Sequence, residues 1–275
     1  MSRVQTVVEP GRVLSGQDLR SIGQVNALPA EERSRVYQSL LPLDFILRFG
    51  IDLQSQPDDG SRLFRIAPGR TSVTLSLRHA PQAEDPLLYL QLADTAMGQI
   101  EVVMFIVNDP DSERFDTDRL PDGTPTHFGT VRRNVVEEIR AMEAGLAPGQ
   151  VRRGLRLTRD LMPGLERFVA HLDRDAFFIE PLSYHNAILF ERLGFSYVAG
   201  LGRMEWIHRE FASGGFLYNR LDGSTSFRRP GAQETVRGRS WAVHDGIMGM
   251  PYDGIKMYKQ VGIHAGVVTF PEAAW

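Results

Sequence analysis

Several side chains in this 275-residue chain could do chemistry by type and position. Glu180, Tyr184 and His185 put a carboxylate, a phenol and an imidazole within six consecutive positions, the groups used most often for proton transfer. Further on, His244 and Asp245 in SWAVHDG, Asp253 in YDG and His264 in GIHAG each lie close to a glycine, where the backbone turns tightly or approaches a ligand. A His/Asp/His set of this kind could hold a metal with an open position or act as acid and base. No HExxH or HxH spacing supports ligation, so capping and core hydrogen bonds are the expectation, and no metal ligands are assigned. A third group is the basic stretch 150 to 159, QVRRGLRLTR, with Arg152, Arg153, Gly154 and Arg156.

The elements that must position these groups follow from pattern. Residues 176 to 182 form an apolar run closed by Pro181, the signature of a buried strand. Ser183 is placed as an N-cap whose hydroxyl accepts from the first turn, with Ala187, Ile188 and Leu193 at helical spacing behind it. Gly194 suits the left-handed position after a helix, and Phe195 can fold back before residues 195 to 198 run on as a strand. The unit is strand, short helix, strand.

This unit resembles the GNAT superfamily of acyl-CoA-dependent N-acyltransferases, in which a strand leads into Asn-x-x-Ala-x-x-Leu-Tyr-x-x-Leu-Gly-Phe. Leu189, Leu193, Gly194 and Phe195 match, while Phe190 stands at the Tyr position, Asn186 at the Ala and Ser183 at the Asn. The resemblance implies an acetyl-CoA or other acyl-CoA donor, an amine acceptor, and Ser183, Asn186 and Phe190 beside the bound donor. In that family the Tyr protonates the departing thiolate. Phe190 has no hydroxyl, so His185 is expected to deprotonate the ammonium and Tyr184 to supply the proton, with Glu180 beside them. The resemblance also implies a phosphate-binding loop at a helix N-terminus, which places Arg152, Arg153, Gly154 and Arg156 on the CoA pyrophosphate. Val151 and Arg156 depart from that loop's pattern, and a plain basic helix surface is the other reading of the same residues.

Composition limits the alternatives. The chain is 42% hydrophobic and 24% charged, with net charge −3, so no basic excess points to nucleic acid or an anionic membrane. Absence of cysteine excludes disulfides and thiolate nucleophiles. No GxSxG elbow, Walker loop or dinucleotide glycine fingerprint occurs. The first residues have no apolar signal-peptide core and no run approaches about 18 apolar residues, so a cytoplasmic protein is expected, a homodimer being compatible with it.

The rest of the chain fits an α/β (α+β) fold with a mixed, mostly antiparallel sheet flanked by helices. Residues 4 to 8 read as a strand, and 15 to 18 open a helix with Leu19, Ile22 and Val25 on one face. Pro29 at the first helical position starts another, and residues 40 to 49 repeat it until Gly50. Period-two segments at 62 to 67, 71 to 78, 87 to 93 and 99 to 107 make two hairpins, and the apolar run 102 to 107 reads as a central strand buried on both faces. After an acidic loop over 108 to 129, Thr130 is expected to cap a helix with Val131, Val135, Ile139 and Met142 inward, ended by Gly145. Leu161, Leu165, Phe168, Val169 and Leu172 form the next core stripe. Residues 1 to 200 are expected to form the GNAT-like domain. Residues 201 to 275 are expected to form an extension packed on it, since Trp241, Ile247, Met250, Tyr258 and the run 265 to 270 need burial. A catalytically inactive ligand-binding module and a metal-dependent enzyme using the C-terminal His and Asp residues are the alternative functions.

Overall fold

The computed structural model describes residues 19–51, 53, 63–127, 129, 131–155 and 158–275. The strand at 4 to 8, the helix opening at 15 to 18, the Thr130 cap and Arg156 lie outside the described residues. The described chain is α+β, with seven mostly antiparallel strands and eight α-helices, and it divides into two compact units, Met1–Val107 with Arg156–Phe177 and Asn108–Leu155 with Phe178–Trp275.

In the first unit, α1 (Ile22–Ala27) buries Ile22 and Val25, and Ser21 accepts from the Gln24 amide. Asp94 takes the Ile22 and Gly23 amides, each at 2.9 Å, which satisfies first-turn donors from a strand end. Helix α2 (Ala30–Gln38) carries Glu31 and Glu32 in its first turn, with Pro29 one position earlier than expected, at the N-cap. Helix α3 (Leu43–Arg48) buries Phe45. Strands β1 (Phe64–Pro68), β2 (Ser72–Leu77), β3 (Leu88–Asp94) and β4 (Ile100–Val107) form an antiparallel meander. Alternation buries Val73, Leu75 and Leu77 as the sequence predicts. Strand β4 differs. Gln91 pairs with Met104 and Leu92 with Val102, so Val103 is the extra residue of a bulge and is exposed. The expected two-sided burial therefore stops at Val102. Helix α5 (Thr158–His171) buries Leu161, Met162, Leu165, Phe168 and Val169, with the Phe168 ring 5.9 Å from Tyr37.

The second unit holds α4 (Val135–Glu143), α6 (Tyr184–Arg192), β6 (Ser196–Ala199), α7 (Leu201–Glu210), α8 (Val236–His244) and β7 (Lys256–Gln260). Strand β5 (Ala176–Ile179) crosses the boundary and is shorter than the apolar run suggests. Strand β7 pairs antiparallel with β6, Ser196 opposite Tyr258, and lies between β5 and β6. A strand from beyond residue 200 thus pairs with one that precedes it. Of the run 265 to 270 only Thr269 and Phe270 are buried, and Met250 is exposed.

The end of α6 follows its sequence closely. Gly194 has φ +84°, its amide bonds to the Glu191 carbonyl at 2.9 Å, and the Phe195 amide reaches the Phe190 carbonyl at 3.0 Å. The Phe190 and Phe195 rings are 5.0 Å apart, which supplies the apolar contact of a Schellman cap. A Cβ on Gly194 would stand 2.8 Å from the His264 ring and 2.9 Å from its Cα. Gly194→Ala should therefore cost about 1–3 kcal/mol from the left-handed conformation alone, with overpacking added. Urea denaturation checks this; a loss below about 0.5 kcal/mol, the scale of neutral surface changes, would contradict it.

Candidate functional site

Helix α4 departs from its apolar stripe. Asn134 caps it by accepting from the Glu137 amide, while Val131, Val135 and Val136 are exposed. The buried residues are Glu138 and Ala141. A carboxylate enters a core only when its charge and lone pairs are met, and here they are. Glu138 Oε2 accepts from Arg133 Nε at 2.8 Å, and Oε1 lies 3.1 Å from His244 Nε2. Arg133 also reaches Asp245 Oδ1 at 2.9 Å, and Asp245 Oδ2 accepts from Arg228 Nε and Thr225 Oγ1, both at 2.8 Å. Two carboxylates and two guanidiniums thus balance, with the imidazole at one end.

Burial works against ionisation of Glu138, but hydrogen bonds from His244 and Arg133 outweigh it and hold the carboxyl below its usual range. An ionised carboxylate only accepts, so the contact carries a proton on His244 Nε2, and in the neutral ring the lone pair is on Nδ1. Nδ1 has no hydrogen-bond partner among the described residues. Gly129, at φ +77°, lies against the pair: a Cβ there would be 2.5 Å from His244 Cε1 and 3.2 Å from Glu138 Oε1. Trp241 holds the other side of the ring, T-shaped at 5.8 Å, and is fixed by its indole N–H on the Leu146 carbonyl at 2.8 Å.

A second imidazole faces α8. His185 is buried, with Nδ1 3.0 Å from Ser183 Oγ and 2.9 Å from Ser240 Oγ. Ser183 takes the N-cap position, yet its hydroxyl goes to this ring and makes no cap bond, contrary to the sequence expectation. Ser240 Oγ also accepts the His185 amide at 3.4 Å, and where a serine hydroxyl donates to Nδ1 the proton of the neutral ring is on Nε2. Burial first, then the charges of Arg237 and His244, push the His185 pKa down to about 3. Burial thus favours the neutral ring and works against the role of base expected for it.

The other expected groups do not converge on His185. Tyr184 is the next residue on the helix and faces elsewhere, fully buried, with burial pushing its phenol up to about 12 against the pull of Arg239. Glu180 is exposed and paired with Lys256 at 3.0 Å. Arg152 donates to the Ser112 carbonyl at 2.5 Å, and the Arg153 amide bonds Ser112 Oγ at 3.1 Å, so these residues fasten a loop. The Arg153 guanidinium is exposed and, among the described residues, reaches only the Ala144 carbonyl, at 3.5 Å. Gly154 and Asn186 are half-buried, and Phe190 is core. His264 lies apart from His244, against Gly194, with Nδ1 accepting the Gly266 amide at 3.2 Å. Asp253 pairs with Arg203. Among the described residues no three His, Asp or Glu side chains gather as metal ligands, and no helix is long and apolar enough to cross a membrane.

Sequence reasoning missed Glu138, Arg133 and Ser240. One local signal was present: Asn134 followed three residues later by Glu137 is a helix-start pattern, and it rotates the α4 register away from Val131. No protein-family model, curated protein or solved structure matches the chain.

Proposed function

We propose that the protein is an acyl-CoA-dependent N-acyltransferase acting on an amine. The observation that carries this reading is the His244–Glu138 pair: an imidazole oriented by a buried carboxylate, with Nδ1 open, beside a second imidazole held neutral. Such a pair takes a proton at Nδ1 and stabilises the resulting imidazolium through Glu138. The ammonium of the acceptor loses that proton to His244 and becomes the nucleophile. The His185 Nε2–H supplies a hydrogen bond where negative charge develops on a carbonyl oxygen. The imidazolium of His244 then returns a proton to the leaving thiolate, the role that Phe190 cannot fill. Acyl-CoA is the donor substrate and supplies the thioester; the exposed guanidinium of Arg153 is the described group available to a phosphate, whereas Arg152 is committed to Ser112.

The Leu-Gly-Phe cap of α6 and the α+β architecture support the reading. A catalytically inactive acyl-CoA-binding module is the second reading, favoured by Phe190, which is buried against Phe195 where the family has a hydroxyl. Titration of the full chain with acetyl-CoA tests both, since a ligand bound only by the folded state raises the melting temperature with concentration. A saturable rise is expected. No rise with acetyl-CoA or longer acyl-CoAs would remove both readings.

A further inference from the structure

Residues 222 to 224 and 229 to 231 are exposed and lie in no helix or strand, yet Phe227 between them is only 3% exposed. The turn is folded on itself. The Gly223 amide bonds to the Arg228 carbonyl at 2.9 Å with Gly223 at φ +76°, and the Ser224 amide reaches Asp222 Oδ1 at 2.9 Å. Its backbone is thus set locally, and its inward side chains are presented from a fixed frame.

Three of those side chains reach the two walls of the His244–Glu138 pair. On the ionic wall, Thr225 Oγ1 and Arg228 Nε both donate to Asp245 Oδ2 at 2.8 Å, and Arg228 Nη2 donates to the Asp245 carbonyl at 2.7 Å. Asp245 Oδ1 in turn accepts from Arg133, whose Nε meets Glu138 Oε2 at 2.8 Å. On the aromatic wall, the Phe227 ring stacks on Trp241 at 5.1 Å and 20°, and Trp241 meets the His244 ring edge-on at 5.8 Å. Phe227 joins the two walls, because the Arg133 guanidinium also lies 4.9 Å over its ring. A guanidinium held by two carboxylates and an aromatic face keeps one orientation, and so does the carboxylate it grips.

We infer that the turn around Phe227 positions the His244–Glu138 pair, with Phe227 as the positioning residue and Thr225 and Arg228 as its anchors. Phe227 acts through Trp241 and Arg133. Loss of its ring frees one side of each, so the carboxylate and the imidazole lose their shared register while every charge of the network stays in place. Thr225 acts through Asp245. That the pair so positioned serves acyl transfer rests on the proposed function, whereas the positioning itself does not.

The test is the imidazole N–H proton resonance of His244 in the full-length protein, assigned by its loss in His244→Gln. An N–H that donates to a buried carboxylate resonates downfield and exchanges slowly with water. Phe227→Leu, which keeps apolar bulk and removes the ring, should speed that exchange by roughly threefold to tenfold, the weight of one aromatic contact. Thr225→Val, of the same shape without the hydroxyl, should speed it in the same direction. Phe211→Leu removes a ring as deeply buried in the same unit, against Arg239, and should leave the resonance unchanged. Exchange unchanged in Phe227→Leu and Thr225→Val, an equal response in Phe211→Leu, or a wild type without the resonance would each overturn the positioning. Where the resonance responds as expected but acetyl-CoA releases no thiol, the positioning stands and the proposed reaction falls. If Phe227→Leu fails to fold, Thr225→Val decides alone.

Discussion

His244→Gln is expected to retain the fold and lose roughly 10²- to 10⁴-fold of acyl transfer, the usual contribution of a positioned general base. Glutamine still offers an N–H to Glu138, so the buried carboxylate keeps a donor; what disappears is the titratable nitrogen at the other side of the ring. The check is the rate of thiol release from acetyl-CoA with an amine acceptor, alongside the melting temperature. A turnover within twofold of wild type would take His244 out of the reaction.

The largest stability effect should come from Glu138→Ala. It leaves Arg133, part-buried, with only Asp245, and removes the acceptor of His244 Nε2. Breaking a buried pair from one side costs about 3–5 kcal/mol. The pH dependence has a defined sign. The folded carboxyl is held below the usual value of 4.5, so its contribution is fully present above that value and is lost as pH falls through the lower folded value. The difference between wild type and Glu138→Ala, from denaturation at pH 7 and at successively lower pH, should shrink below about pH 4.5. His185 acts in a higher window. Its folded pKa of about 3 against 6.5 means that the unfolded chain takes up a proton first, so wild-type stability should decline as pH drops below 6.5. A Glu138→Ala protein as stable as wild type at pH 7 would show that the network is not holding the unit together.

Where local physics decides, sequence and structure agree. Gly194 is forced by a left-handed backbone and Phe195 by the apolar contact behind it, and both can be read from neighbouring residues. Strand β2 declares itself by alternation, since each inward residue is apolar and each outward one polar or half-exposed. Helix α4 shows where this fails. The valines at 131 and 135 form a convincing stripe in the sequence, but the partner that draws Glu138 inward is His244, 106 residues away, and no local period encodes it. The same holds for Ser183, a plausible cap by type whose hydroxyl is taken by the His185 ring, itself tied to Ser240 55 residues on. Strand β7 was hidden for a different reason. KMYKQ alternates weakly, and only its pairing with β6 shows that it belongs to the sheet.

The measurement that bears most directly on the proposed reaction is product analysis. The full-length protein is incubated with acetyl-CoA and a mixture of primary amines, free thiol is followed by absorbance and acylated amines by mass spectrometry. The His244–Glu138 assignment predicts one amide for each thiol released, with both lost together in His244→Gln. Binding of acetyl-CoA without thiol release, or thiol release without amide, would contradict it.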